Sequence, residues 1–122
     1  MCTTFNTIYI AGPMSGIPEF NFPAFDRAEY WLKKDGWIVF NPAKKESEEI
    51  ISDEAFEIGD AEMASEDGLD FRENYLWDIS KVIESGAIYM LEGWEKSPGA
   101  RGEHAVAVAL QRHYPEYRII YQ

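Results

Sequence analysis

The 122-residue chain is long enough for one compact domain, and it contains no apolar run near the roughly 20 residues that span a bilayer. Its 11 basic and 22 acidic residues give a net charge of −11, which disfavours binding to duplex nucleic acid or to a membrane surface. The first seven residues lack the basic region and apolar core of a secretion signal, so we expect a cytoplasmic protein.

Cysteine and histidine usage limits the metal chemistry that this chain can support. The single cysteine, Cys2, excludes an internal disulfide and a multi-cysteine metal site. The two histidines, His104 and His113, are isolated and lack the spacing of zinc ligands. We therefore expect neither a metal nor a cofactor.

The first third of the chain predicts a strand, a helix and a second strand. The apolar run 8–11 is expected to be a strand because turn-forming residues follow it. Asn21 is expected to cap a helix whose apolar residues recur at helical spacing, and Gly36 is expected to end that helix. Residues 37–40 predict the second strand, which an Asn-Pro pair closes.

The composition changes between Lys44 and Asp70, because this segment holds 11 of the 22 acids and only two lysines. We interpret it as a solvated acidic insertion that is helical in part around residues 50–58. A lid over a ligand site and a protein-docking surface are alternatives that the composition leaves open.

Helical spacing resumes over residues 71–84. Six apolar residues are expected on one face of this helix: Phe71, Tyr75, Leu76, Ile79, Val82 and Ile83. Asp78 lies at the edge of that face, where a carboxylate can point into a cleft while the helix stays packed. The run 87–91 predicts a buried third strand, and a helix ending near His113 and a strand over 117–121 follow.

The alternation of strands and helices predicts a single α/β domain over residues 1–122, with the acidic insertion at about 44–70. We expect a small flavodoxin-like or Rossmann-like three-layer sandwich with a mostly parallel sheet of four to five strands. Ligands in such sheets bind beyond the carboxyl ends of the strands, where the strand order reverses. For the order 2-1-3-4, the loops 12–18 and 93–102 are expected to meet at that point.

The loop and helix start that follow the third strand carry the strongest functional signal. Gly93, Gly99 and Gly102 let the backbone approach a ligand closely, and the N–H groups of a helix start favour negative charge. Glu103 is expected on the first turn of this helix, where the helix dipole would keep it ionised, as a carboxylate nucleophile requires.

Several motifs resemble those of the nucleoside 2-deoxyribosyltransferase-like superfamily, and above all a branch that is often phage-encoded or prophage-encoded. They are IYIAGPMSG over residues 8–16, NFPAF over 21–25, NPA over 41–43, Asp78, and GWEKSPGARGE over 93–103. They cover nearly the whole chain apart from the acidic insertion. The resemblance implies a nucleoside or nucleotide as the partner, and self-association into a dimer or higher oligomer.

The resemblance also implies roles for individual residues. Glu103 matches the glutamate that attacks the anomeric carbon of deoxyribose, Asp78 the aspartate that assists proton delivery to the leaving base, and Tyr9 the tyrosine that holds the nucleophile. Ser97 matches a phosphate-contacting serine of deoxyribonucleoside 5′-monophosphate N-glycosidases, which favours a nucleotide substrate. Ser15 stands where those hydrolases carry a basic residue. The expected reaction is hydrolysis when water takes the sugar, and transfer when a second base does.

The expected substrate-binding residues lie in the two glycine-bearing loops: Gly12, Ser15 and Gly16 in the first, and Trp94, Ser97, Gly99, Arg101 and Gly102 in the second. Trp94 is expected either to stack on a base or to pack within its loop, and Arg101 either to clamp a phosphate or to face solvent. The amides from Gly99 to Gly102 are expected to bind a phosphate together with Ser97.

Two other functions remain as alternatives. One is a non-catalytic nucleotide-binding or sensing module on the same fold, which needs no ionised Glu103. The other is an acidic protein-interaction protein, such as a phage inhibitor, that acts through the insertion.

Overall fold

The computed structural model describes residues 4–46, 57 and 71–122. In chain order its elements are β1 (Thr4–Ala11), a 3-10 turn (Pro18–Asn21), α1 (Phe22–Lys34), β2 (Ile38–Phe40), α2 (Pro42–Glu46), α3 (Phe71–Glu84), β3 (Ser85–Met90), a second 3-10 turn (Trp94–Lys96), α4 (Pro98–His113) and β4 (Arg118–Tyr121). No helix in these ranges is long and apolar enough to cross a membrane. The predictions of a helix around 50–58 and of a lid or docking surface fall almost entirely outside the described residues.

The four described strands form one parallel sheet in the order β2-β1-β3-β4. Ile8 in β1 pairs with Val39 of β2 on one side and with Ala87 of β3 on the other. The predicted fold class is confirmed, and the strand order is the one for which the loops 12–18 and 93–102 are expected to meet. Because β1 and β3 are neighbours, their carboxyl ends meet, and the Leu91 N–H extends the pairing by donating to the Ala11 carbonyl at 2.8 Å.

Helices cover both faces of the sheet, which gives three layers. On one face, Ile8 and Ile10 of β1 join the apolar residues of α1 in a buried cluster. On the other face, Tyr9 packs in a second cluster with Val82 of α3 and Ala107 of α4. This division follows from the alternation of side chains along a strand. It directs Tyr9 into the layer that contains α3 and α4.

The apolar face predicted for α3 is wrong in part. Phe71, Leu76 and Ile83 are exposed, whereas Asn74 and Val82 are buried and Asp78 is half-buried. These last three residues are spaced i, i+4 and i+8, so they lie along one side of the helix. The helix keeps the expected period but turns a partly polar set of residues toward the rest of the protein.

Asn21 stands immediately before α1, as predicted, but its side chain does not cap the helix. Its backbone is left-handed with φ of 61°, a conformation that asparagine tolerates better than most residues. The Asn21 Nδ2 instead donates to the Pro13 carbonyl at 3.0 Å. This bond ties the loop after β1 to the start of α1.

A buried glutamate on α1 holds the segment between β2 and α2. Glu29 accepts a hydrogen bond from Asn41 Nδ2 at 2.9 Å, and its other oxygen lies 2.6 Å from Lys33 Nζ and 3.2 Å from Lys44 Nζ. Asn41 Oδ1 accepts in turn from the Ala43 N–H. Burial alone would raise the pKa of Glu29, but these hydrogen bonds and the charge of Lys44 together lower it.

We expect Glu29→Gln to lower the free energy of unfolding by about 1–2 kcal/mol at neutral pH, because it removes charge-assisted hydrogen bonds. Since the pKa of Glu29 is lowered in the folded protein, this contribution is present above the ordinary value of 4.5 and is lost as the pH falls through the folded pKa. Urea unfolding at neutral and at strongly acidic pH measures this. A deficit of equal size at both pH values would contradict the prediction, and Glu84→Gln, at an exposed ion pair, serves as the control.

Candidate functional site

A cavity of about 820 Å³ lies between the loop after β1, the loop after β3 and helix α3. Much of its wall is apolar, with Met14, Ile17, Phe20 and Phe71 among the lining residues. The two loops leave the sheet where its strand order reverses, which is where ligands bind in open parallel sheets. Its size and apolar character suit a small organic ligand.

Glu103 is buried at this cavity, and it lies on the second turn of α4 rather than on the first. The helix begins early because Ser97 caps it and Pro98 occupies its first position, where a missing N–H costs little. Since the field of the helix dipole falls off within the first turn, the dipole contributes less to Glu103 than the sequence predicted.

A direct hydrogen bond holds the Glu103 carboxylate. The Tyr9 hydroxyl donates to Glu103 Oε2 at 2.8 Å, and both side chains are buried, with 1% and 5% of their surfaces exposed. The two residues are 94 positions apart in the chain and meet because the Tyr9 side chain points to the face of the sheet on which α4 packs. A carboxylate that is buried and held at a fixed orientation in a cavity wall can act as a nucleophile or as a base.

Helix α3 supplies a second carboxylate and an aromatic side chain to the same cavity. Asp78 and Tyr75 both line it, and the Tyr75 hydroxyl donates to the Gly99 carbonyl on α4 at 2.8 Å. The pKa of Tyr75 is raised, chiefly by burial and further by the negative charges of Glu103 and Asp78. The Glu103 and Asp78 carboxylates are therefore both close enough to Tyr75 for their charges to affect the pKa of its hydroxyl.

The start of α4 offers fewer amides to an anion than the sequence suggested. The Ser97 hydroxyl oxygen accepts from the Ala100 N–H at 3.2 Å, and the Ser97 carbonyl accepts from the Arg101 N–H at 2.9 Å. Two of the amides expected to bind a phosphate are thus used within the turn. Ser97 and Gly99 do line the cavity, and so does the exposed Lys96 beside them.

A family model described as Domain of unknown function (DUF4406) matches residues 6–114. The chain belongs to this family. No curated protein and no solved structure matches it. The matched region of this DUF4406 domain contains every residue that lines the cavity, from Tyr9 to Glu103.

The cavity of the DUF4406 domain brings together most of the site residues that the sequence predicted. Seven of them line it: Tyr9, Gly12, Ser15, Asp78, Ser97, Gly99 and Glu103. Gly12 also permits the close approach of β1 and β3, since a Cβ there would lie 2.7 Å from Leu91 Cβ. Among the residues in the described ranges, no three acidic, histidine or cysteine side chains are grouped as a metal site requires.

The other four predicted site residues lie outside the cavity lining. Trp94 packs against His104, with ring centroids 4.3 Å apart, and the Arg101 guanidinium donates to the Glu95 carbonyl at 3.1 Å. Gly16 forms a turn with φ of 83°, and Gly102 faces the Tyr75 hydroxyl. Trp94 has the ring contact expected of a packed loop aromatic.

Sequence reasoning missed five polar lining residues of the DUF4406 domain: Asn21, Asn74, Tyr75, Glu92 and Lys96. Asn74 and Tyr75 precede Asp78 by four and three positions, so they share its side of α3. That spacing is a signal the sequence contains, and it was obscured because Tyr75 was counted among the apolar residues of the core face.

Proposed function

We propose that this DUF4406 domain cleaves the N-glycosidic bond of a deoxyribonucleoside or of its 5′-monophosphate, as a hydrolase or as a 2-deoxyribosyltransferase. The observation that supports this best is the buried hydrogen bond from Tyr9 to Glu103, which fixes a carboxylate in the cavity wall. Asp78, from a different helix, provides a second carboxyl group in the same cavity. Two carboxyl groups with separate roles are what glycoside chemistry through a covalent intermediate needs.

In the first step, a Glu103 carboxylate oxygen attacks the anomeric carbon of the sugar. The bond from that carbon to the base nitrogen breaks, and the bonding pair leaves with the base. Asp78 in its protonated form gives its proton to the departing base, so the base leaves neutral and Asp78 becomes a carboxylate. The sugar is then held as an ester of Glu103.

In the second step, a nucleophile attacks the anomeric carbon and releases Glu103 as a carboxylate. Water gives the free sugar, and a second base gives a new nucleoside. In each case the nucleophile loses a proton, and Asp78 accepts it, which restores the starting state. The Tyr9 hydroxyl keeps Glu103 oriented through both steps because it donates to the carboxylate without reacting.

The rest of the cavity fits the same class of substrate. Its apolar wall can hold a planar base and a deoxyribose. Lys96 and Ser97 provide a cation and a hydroxyl near the start of α4, where a 5′-phosphate would be accommodated. Comparing kcat/KM for nucleosides and their 5′-monophosphates, in the parent and in Lys96→Ala and Ser97→Ala, measures how much these two residues contribute.

A chromatographic turnover assay tests the proposal. The purified protein, Glu103→Gln and Glu95→Gln are incubated with deoxynucleosides and deoxynucleoside monophosphates, with and without a free base. Glu95 is an exposed acid of the neighbouring 3-10 turn and lies outside the cavity lining, so it is the matched control. Release or exchange of base by the parent and the control, and not by Glu103→Gln, is the expected result. No product from any substrate would overturn the proposal and favour the binding-only alternative, which titration calorimetry with the same compounds would then measure.

Tyr9→Phe is expected to lower kcat by about 10- to 100-fold, because the mutation removes a preorganised donor from the nucleophile. The KM should change little, since the hydroxyl is already engaged by Glu103 and is not offered to the substrate. Steady-state kinetics on the best substrate of the panel measures both constants. Tyr114→Phe, at an exposed tyrosine beyond α4, is the control, and equal kinetics for the two variants would contradict the role given to Tyr9.

A further inference from the structure

Helices α3 and α4 pack against each other in the cluster that contains Val82 and Ala107, and near the two carboxylates one side chain, that of Tyr75, bridges them. Tyr75 extends from α3, and its hydroxyl donates to the Gly99 carbonyl in the first turn of α4 at 2.8 Å. Its aromatic ring stacks on Phe71, with centroids 5.4 Å apart and the planes 12° from parallel. The ring is thereby held at the cavity wall with its hydroxyl fixed on the neighbouring helix.

Gly102 makes this arrangement possible. A Cβ built on Gly102 would collide with the Tyr75 hydroxyl oxygen, whereas a Cβ on Gly99 would meet the ring only at an ordinary contact of 3.5 Å. A glycine in the interior of a helix costs about 1 kcal/mol relative to alanine, so its presence has a local reason. The reason here is that the hydroxyl lies directly against the helix backbone at this position.

The sequence neighbours of these two residues are the proposed catalytic groups. Glu103 follows Gly102 on α4, and Asp78 follows Tyr75 by one helical turn on α3, on the same side of the helix. Any change in the distance between α3 and α4 at Tyr75 therefore changes the separation of Glu103 and Asp78.

We propose that Tyr75 is a positioning residue that sets the separation of Asp78 and Glu103. It does so through its hydrogen bond to the Gly99 carbonyl and through the close packing of its hydroxyl against the Gly102 backbone. The effect of Tyr75 on catalysis rests on the proposed function. The packing of Tyr75 against Gly102 does not, and the melting temperatures of variants test it separately. Tyr75 does not exchange protons with the substrate. Burial and the two nearby carboxylates raise its pKa, so its hydroxyl keeps its proton and remains a donor at neutral pH.

The kinetic test compares Tyr75→Phe with Tyr30→Phe, which alters an exposed tyrosine on α1 outside the cavity lining. Tyr75→Phe is expected to lower kcat by about 10-fold with KM within about twofold, because a small displacement of reacting groups slows chemistry more than it weakens binding. Tyr30→Phe should behave as the parent. A parent that turns over substrate while Tyr75→Phe keeps its kcat would overturn the proposal and leave the proposed function intact.

A second test is independent of activity and uses the melting temperatures of Gly102→Ala, Tyr75→Phe and the double variant. Gly102→Ala alone is expected to lower the melting temperature by several degrees, since the new methyl group displaces the Tyr75 hydroxyl. In the Tyr75→Phe background that oxygen is gone, so Gly102→Ala should be neutral or stabilising. Additive changes in the double variant would overturn the proposal.

A third measurement follows the ultraviolet absorbance of tyrosinate during an alkaline titration, with Tyr75→Phe subtracted to isolate Tyr75. Glu103→Gln and Asp78→Asn should each lower the pKa of Tyr75, because each removes a nearby negative charge. An unchanged titration in both variants would overturn the proposal even if the parent showed no turnover. A parent without turnover but with the expected titration and non-additive melting would defeat the proposed function alone, and the positioning of the two carboxylates would stand.

Discussion

Glu103→Gln is expected to lower kcat by at least about 10³-fold, the largest effect of any single substitution in this chain. The amide is nearly the same size as the carboxylate and its oxygen still accepts from the Tyr9 hydroxyl, so the fold and the cavity are kept. It carries no charge, however, and is a poor nucleophile toward an anomeric carbon. Substrate affinity should change by much less than kcat, because the apolar wall and the loop residues remain.

The covalent intermediate gives this prediction a direct readout. Intact-protein mass spectrometry after rapid acid quench should detect the parent with one deoxyribosyl group attached, and fragmentation should locate the group on Glu103. Glu103→Gln should give no adduct, and Glu95→Gln should give the same adduct as the parent. Turnover without any adduct, together with inversion at the anomeric carbon, would contradict the nucleophile and indicate that Glu103 activates water as a base.

The sequence was sufficient for the fold because the strand and helix patterns are local and consistent with one another. Short apolar runs followed by turn-forming residues correspond to β1, β2 and β3, and the crossover rules favour a parallel sheet, whereas the order 2-1-3-4 was one possibility that the structure shows. The strands begin and end a few residues from their predicted limits, as at β1, which starts at Thr4 rather than Ile8. Pairing with neighbouring strands extends an element beyond its apolar run, and a single run does not record its neighbours.

The apolar pattern alone did not identify the inward face of α3. Counting apolar residues places Leu76 and Ile83 against the core, yet both are exposed, and Asn74 is buried instead. Which side of α3 faces inward depends on a cavity that α3 forms with the loops after β1 and β3, and the spacing of apolar residues within α3 does not record those contacts. A period of 3.6 residues identifies the helix, but only the tertiary arrangement chooses between two faces of similar character.

The position of Glu103 in its helix shows how one cap changes an electrostatic argument. The sequence suggested a carboxylate on the first turn, stabilised by the helix dipole. The Ser97 cap and Pro98 start the helix five residues before Glu103, so Tyr9 is the group that acts directly on the carboxylate. The family resemblance pairs Tyr9 with Glu103 without giving a geometric reason. The structure supplies one: β1 lies beside β3, and α4, which follows β3, packs on the face of the sheet to which Tyr9 points.

Asp78→Asn is expected to lower kcat by about 10²- to 10⁴-fold, because the asparagine amide has no proton to give to the leaving base. The loss should depend on the leaving group, and this dependence separates Asp78 from Glu103. A substrate whose base departs readily as an anion needs little protonation, so its kcat should fall far less in Asp78→Asn. The same substrate should remain almost inert with Glu103→Gln, since attack on the anomeric carbon is still required.

A plot of log kcat against the pKa of the leaving base, for a series of modified purine or pyrimidine deoxynucleosides, measures this dependence. The slope should be shallow in the parent and steep in Asp78→Asn, because charge on the departing base is no longer neutralised in the transition state. Glu84→Gln, at an exposed acid of the same helix, should follow the parent line. Parallel lines for the parent and Asp78→Asn would mean that another group protonates the base. The remaining role of Asp78 would then be electrostatic, through the negative charge that helps to raise the pKa of Tyr75.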